Sequence, residues 1–167
     1  MLDPIKAREV KAVLAVKLEG IAPLYIPEGY TVEYRKSLSG MHYGKRKLIQ
    51  APRPITRKSL YIFLHECAHA HLGHSHNGKV PRHVEEMEAE QWAHAKMREH
   101  GIAVPRSMTD RARRYLARKI EQAHRVGAKK IDARARKFAG SELTVMKISN
   151  LITGETTTRY LRKRKHR

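Results

Sequence analysis

Thirteen residues constrain this chain more than any others: Tyr61 to Gly73, read Tyr-Ile-Phe-Leu-His-Glu-Cys-Ala-His-Ala-His-Leu-Gly. Apolar residues lead in from Tyr61 to Leu64 and return at Ala68, Ala70 and Leu72, so the stretch reads as a buried helix. A buried helix must satisfy its polar side chains, and this one carries His65, Glu66 and His69. Residues four apart stack on one helix face, so His65 and His69 can aim two ring nitrogens at one metal ion. Glu66 stands beside them, where it can act as a general base on a water at the metal. That is the chemistry of His-Glu-x-x-His: two ligands and a base for hydrolysis. The chain is rich in His, with 11. Its composition alone would produce the pattern about one time in twenty, so the apolar flanks carry the weight. The bland alternative, a surface helix with solvated histidines, leaves those flanks unexplained.

A catalytic zinc takes three protein ligands and a water, so a third ligand is needed from elsewhere. The segment from Pro81 to His100 reads as the next helix, with an apolar side of Met87, Ala89, Trp92, Ala93 and Met97. Glu85, Glu86, Glu88 and Glu90 crowd its first half. Acidic residues near a helix N-terminus are favourable for the helix dipole, so part of this cluster is structural. Glu85 and Glu88 share a face with Ala89 and Trp92. That face must turn inward to bury Trp92, so Glu88 points at the core and calls for a cation. His71, His74, His76, His83 and Glu85 stay open as rivals.

His65-Glu66-x-x-His69 followed by Glu88-Ala89-x-x-Trp92-Ala93 resembles the small zincin-type metallopeptidases of the ImmA/IrrE kind, over Met41 to His100. The resemblance implies zinc held by His65, His69 and Glu88, with Glu66 as the catalytic base. Where that family commonly has Asn after Glu-Ala, this chain has Glu90. A metzincin register fails, because Gly73 and His76 each fall one residue late. Proteases of the SprT type use a third His, which His76 or His83 would supply here. Mobile-element antirestriction proteins resemble the same combination of a zincin-like motif and a basic surface.

The charge is unevenly spread. Residues 1–105 carry 16 Lys+Arg against 11 Asp+Glu, a net of +5, and residues 106–167 carry 19 against 5, a net of +14. That asymmetry predicts a polyanionic partner, nucleic acid before an anionic membrane surface. The bland alternative is a solvated basic surface. A single Cys excludes an internal disulfide and suits a reducing compartment, so a cytoplasmic location is expected. Cys67 reads as a small buried residue. No apolar run forms a signal peptide or approaches the length of a transmembrane helix.

Along the chain, Asp3-Pro4 opens a helix with an apolar stripe of Ile5, Val10, Val13, Leu14 and Leu18, ended by Gly20 and packed on the core. Tyr30–Lys36 and Met41–Gln50 read as strands, the second broken at Gly44. The resemblance to zincins implies that the strand just before the motif helix is an edge that pairs with an extended substrate. Thr56 caps the motif helix and Gly73 ends it. Asp110–Phe138 reads as one kinked helix or two, basic and amphipathic. Leu143–Ile148 and Thr156–Leu161 read as a hairpin, and Arg162–Arg167 as a disordered tail.

These readings give an α+β fold: a zincin-like core over residues 1–105 and a basic, mainly helical extension over 106–167. The function they imply is zinc-dependent hydrolysis of peptide bonds in a protein substrate, near nucleic acid. The oxyanion would need a donor besides zinc, with His76, His83 and Tyr43 as candidates. The alternative is a nucleic-acid-binding or antirestriction-type protein whose zinc is structural or vestigial.

Overall fold

A computed structural model describes residues 3–75, 80–149, 153 and 155–163. Among the described residues the chain is α+β and mainly helical, with five α-helices, a three-stranded sheet and a two-stranded one. It divides into two compact units, Met1–Ser75 with Glu88–Met108, and His76–Met87 with Thr109–Arg167. No helix among the described residues is long and apolar enough to cross a membrane.

The first unit opens with α1 (Pro4–Ile21), capped by the Asp3 carboxylate, which accepts from the Ile5 N–H. The helix runs past Gly20: Ala22 keeps helical angles, and the chain passes directly into a tight turn, Ala22–Tyr25. Only the last part of α1 docks. Leu18 and Ile21 are buried, whereas Ile5, Val10 and Val13 of the expected stripe are exposed. The stripe misleads because Ile5 and Val13 lie well round the helix from Leu14, Leu18 and Ile21.

Three strands follow: β1 (Thr31–Arg35), β2 (Met41–Tyr43) and β3 (Leu48–Pro52), in the order β1-β3-β2. The stretch from Met41 to Gln50 is broken at Gly44 by a short turn, Gly44–Arg46, which folds β2 back antiparallel onto β3. β1 runs parallel to β3. The strand directly before the motif helix is therefore central, and the edges are β1 and β2. Burial explains it: β3 buries Leu48, Ile49, Ala51 and Pro52, on both faces, as a central strand can. α2 (Arg57–His71) packs on this sheet through Leu60, Phe63 and Leu64, and Ala93 and Met97 of α3 (Arg82–Glu99) complete the same core.

The second unit takes the first turns of α3, then α4 (Arg106–Arg125) from Thr109 onward, α5 (Ala133–Ala139), β4 (Leu143–Ser149) and β5 (Thr156–Arg162). Gly127, at φ +96°, stands between two helices rather than within one kinked helix. Leu116, Ala117, Ile120, Ile131, Ala135 and Leu143 form the core with Val84 and Met87. β4 and β5 pair antiparallel from Leu143–Arg162 to Ser149–Thr156. Most of the turn expected at Asn150–Gly154 lies outside the described residues. Arg162 belongs to β5 and reaches Glu121 at 3.4 Å, and the Lys163 N–H donates to the Glu142 carbonyl at 2.7 Å. Those two residues are therefore not tail. Residues 164–167 lie outside the described set.

The partial docking of α1 is testable by denaturant unfolding. Leu18→Ala should cost about 2–5 kcal/mol, as deletion of a fully buried Leu does. Val13→Ser, at an exposed site, should stay within about 0.5 kcal/mol. Equal costs would contradict the docking described.

Candidate metal centre

Local chemistry fixes both ends of α2. At its start Thr56 and Ser59 form a reciprocal cap: the Thr56 hydroxyl accepts from the Ser59 N–H at 3.1 Å, and the Ser59 hydroxyl accepts from the Thr56 N–H at 2.9 Å. At its end Gly73 adopts φ +66°, and the His74 N–H donates to the His69 carbonyl at 2.9 Å. This is the left-handed turn that glycine allows, closing the last carbonyls of the helix. It also folds His74 back onto the motif. The His74 Nδ1 lies 2.9 Å from the His69 Nδ1.

The two motif rings converge. The Nε2 atoms of His65 and His69 lie 3.2 Å apart. Tetrahedral zinc bonds of about 2.0–2.1 Å would hold two nitrogens about 3.3 Å apart, so the spacing fits one ion. The far sides of both rings have partners. The His65 Nδ1 lies 3.3 Å from a Glu90 oxygen, and the His74 Nε2 lies 3.4 Å from a Glu88 oxygen. With neutral rings the protons along these contacts can then be placed. If His65 carries its proton on the Nδ1 that faces the Glu90 carboxylate, it keeps a lone pair on Nε2. If His69 donates to that lone pair, His74 must donate from Nδ1 and turn a second lone pair onto the Glu88 carboxylate. If a cation takes both Nε2 lone pairs instead, His69 donates from Nδ1 to His74, and His74 donates from Nε2 to Glu88. The second arrangement leaves no acceptor facing an acceptor along the line.

The carboxylates of α3 differ in placement. The buried face of the helix is centred on Ala89, Ala93 and Met97, with Glu86 and Glu90 also buried. Trp92 is half-buried at the edge, packed edge-on to Tyr25 at 5.5 Å and stacked on His71 at 5.2 Å. The helix is thus turned away from the orientation that burying Trp92 would impose, and Glu88 keeps 31% of its side chain exposed. α3 is one continuous helix, with Glu86 one turn before Glu90. Arg82 pairs with both Glu85 and Glu86.

The rival histidines fall elsewhere. The His71 Nε2 lies 3.0 Å from the Tyr25 carbonyl. His83 is buried in the second unit, where its Nε2 accepts from the Asp132 N–H at 3.4 Å. His76 lies outside the described residues. Tyr43 is half-buried, with the Arg46 guanidinium over its ring.

Glu66 is buried, and its carboxylate lies against Gly40, in the loop between β1 and β2. A Cβ on Gly40 would come within 2.5 Å of the Glu66 Cγ and 2.6 Å of its Oε1. Only glycine lets the loop approach so closely. His42, buried on β2, lies nearly parallel to the His69 ring, with centroids 6.1 Å apart, and its Nε2 meets the Tyr30 hydroxyl at 3.2 Å. Gly40, His42 and Tyr30 were not foreseen as parts of the site. Period-two reading of Met41-His42-Tyr43 could have turned His42 inward, and Glu90 was already visible as the departure from the family pattern. Cys67 is buried, and desolvation, helped by Glu66, pushes its thiol well above the usual range, so it stays neutral.

Comparisons with protein-family models, curated proteins and solved structures gave no match.

His83 gives a pH test. Burial pushes its pKa below the ordinary His value of 6.5, against the opposing charge of Asp132. The unfolded chain therefore holds the proton more readily. The stability His83 contributes is complete above about pH 6.5 and is lost as pH falls below it. Unfolding at about pH 7.5 and about pH 5.5 should show a smaller acid loss in His83→Gln than in the parent chain. An equal or larger loss in the variant would contradict this.

Proposed function

We propose that this chain is a zinc-dependent metallopeptidase of the zincin type, akin to the ImmA/IrrE group. The observation that carries the reading is the 3.2 Å convergence of two Nε2 atoms whose rings are held from behind, with the buried Glu66 carboxylate next in sequence. His65 and His69 would hold the ion. The third place would fall to a carboxylate of α3. Zinc there would supply Lewis acidity to the scissile carbonyl and make water a stronger acid. Glu66 would take the proton of the attacking water and deliver it to the leaving amine. Gly40 holds the Glu66 side chain in line by leaving it room. β2 is an edge of the sheet, one neighbour wide, and its free side offers main-chain groups to an extended protein substrate.

The second unit supports a nucleic-acid partner. Arg113, Arg114, Arg118, Lys129, Lys130, Lys137 and Arg159 are all exposed on it. Tyr115 lies under both Arg118 and Lys119, at 5.1 and 5.3 Å. Phosphate contacts from such side chains give affinity without sequence choice. A peptidase carrying this surface would act on proteins bound to nucleic acid. The rival reading keeps the surface and makes the zinc structural or vestigial, as in an antirestriction-type protein.

Glu66→Gln separates the two. It should keep its zinc and its salt-sensitive DNA binding, lose cleavage of DNA-associated proteins by about 100-fold or more, and trap the uncut substrate. Undiminished cleavage removes Glu66 from the mechanism. Zinc and DNA binding with no cleavage by the parent chain favours the rival.

A further inference from the structure

We propose that His74 and Glu88 form a positioning relay behind His69, and that Glu88 serves the metal site from its outer side rather than as a ligand. The inference rests on the zinc-site reading above and deepens it.

Three contacts in sequence carry it. The His65 and His69 Nε2 atoms face each other at 3.2 Å, the His69 and His74 Nδ1 atoms meet at 2.9 Å, and the His74 Nε2 meets Glu88 Oε2 at 3.4 Å. A ring that binds a cation through Nε2 carries its proton on Nδ1 and needs an acceptor there. For His65 the carboxylate facing that nitrogen is Glu90, at 3.3 Å. For His69 it is another imidazole, which can accept on Nδ1 only while its own proton sits on Nε2. The carboxylate at Nε2 is what holds it there. His74 thus passes the orienting effect of Glu88 across one ring to His69, and neither needs to touch the metal.

The geometry is built rather than incidental. His74 is buried and is set in place by the left-handed turn at Gly73 and its own N–H bond to the His69 carbonyl. The two motif histidines then differ in backing: His65 has a carboxylate directly behind it, whereas His69 has one a ring's width away. Glu88 keeps partial contact with water, so its charge is less costly to hold than a carboxylate buried beside Glu86 and Glu90 would be.

The test is zinc affinity of the full chain, measured by competition with a chromophoric chelator. Removing a partner of this kind costs about 10–100-fold in metal affinity, which is the loss expected for His74→Ala. His74→Asn, whose amide can stand where Nδ1 stood, should recover most of it. Glu88→Gln keeps an oxygen that accepts from the His74 Nε2–H and should bind nearly as the parent does, while Glu88→Ala should weaken. Imidazole ¹⁵N–¹H spectra of the zinc-loaded chain should show His65 and His69 protonated on Nδ1, and His74 on Nε2. Parent-like affinity in His74→Ala, a Glu88→Gln loss as deep as that of His65→Ala, or His74 protonated on Nδ1 would each overturn the relay. A parent chain with no zinc affinity would overturn the metal reading along with it, so the two failures are distinguishable.

Discussion

Almost every side of α2 is buried: the run from Ser59 to Leu64 is covered without a break, and Glu66, Cys67, Ala68 and His69 follow. Polar groups on such a helix lose their water and must be satisfied inside the protein. The helical repeat places His65 and His69 on one face, and everything around them answers that demand. α3 brings Glu90 to the back of one ring. The turn at Gly73 returns His74 to the back of the other. The loop at Gly40 closes over Glu66 at a distance that a side chain would prevent.

Parts of this were legible in the sequence because they depend on neighbours along the chain. The caps at Asp3 and Thr56, the break at Gly44 and the end of the motif helix at Gly73 follow from local rules that outlast tertiary context. Hydrophobic patterning also placed both halves of the C-terminal hairpin. What escaped depends on rotation and return. The rotation of α3 was inferred from Trp92, its largest apolar residue, but close packing through Ala89 and Ala93 sets it, and Trp92 is left at the edge against Tyr25 and His71. The carboxylates therefore sort differently: Glu85, Glu86 and Glu90 are buried and Glu88 is not. His74 escaped because a residue one step past a helix has no direction until the turn is known. α1 escaped because a stripe counted along the sequence does not say how much of a helix finds a partner.

The basic second unit obeys a different constraint. Its core is aliphatic and small, built from Leu116, Ile120, Ile131 and Leu143 with Val84 and Met87, and the hairpin adds Tyr160 beside it. Glu121 is buried there and is approached by both Arg125 and Arg162, so one carboxylate ties the hairpin's last strand to α4. Most of the remaining arginines and lysines face outward. A surface with this excess of one sign repels itself, and a polyanion would relieve the repulsion while gaining phosphate contacts.

One metal ion shared by His65 and His69 would join the motif helix to the groups behind its rings. Elemental analysis of the purified full chain, with His65→Ala purified beside it, tests it most directly. The account predicts about one zinc per parent chain and almost none in the variant, since the binding of structural or catalytic zinc depends on each ligand. A parent chain that holds no metal even after zinc is added, or a variant that holds as much as the parent, would contradict it.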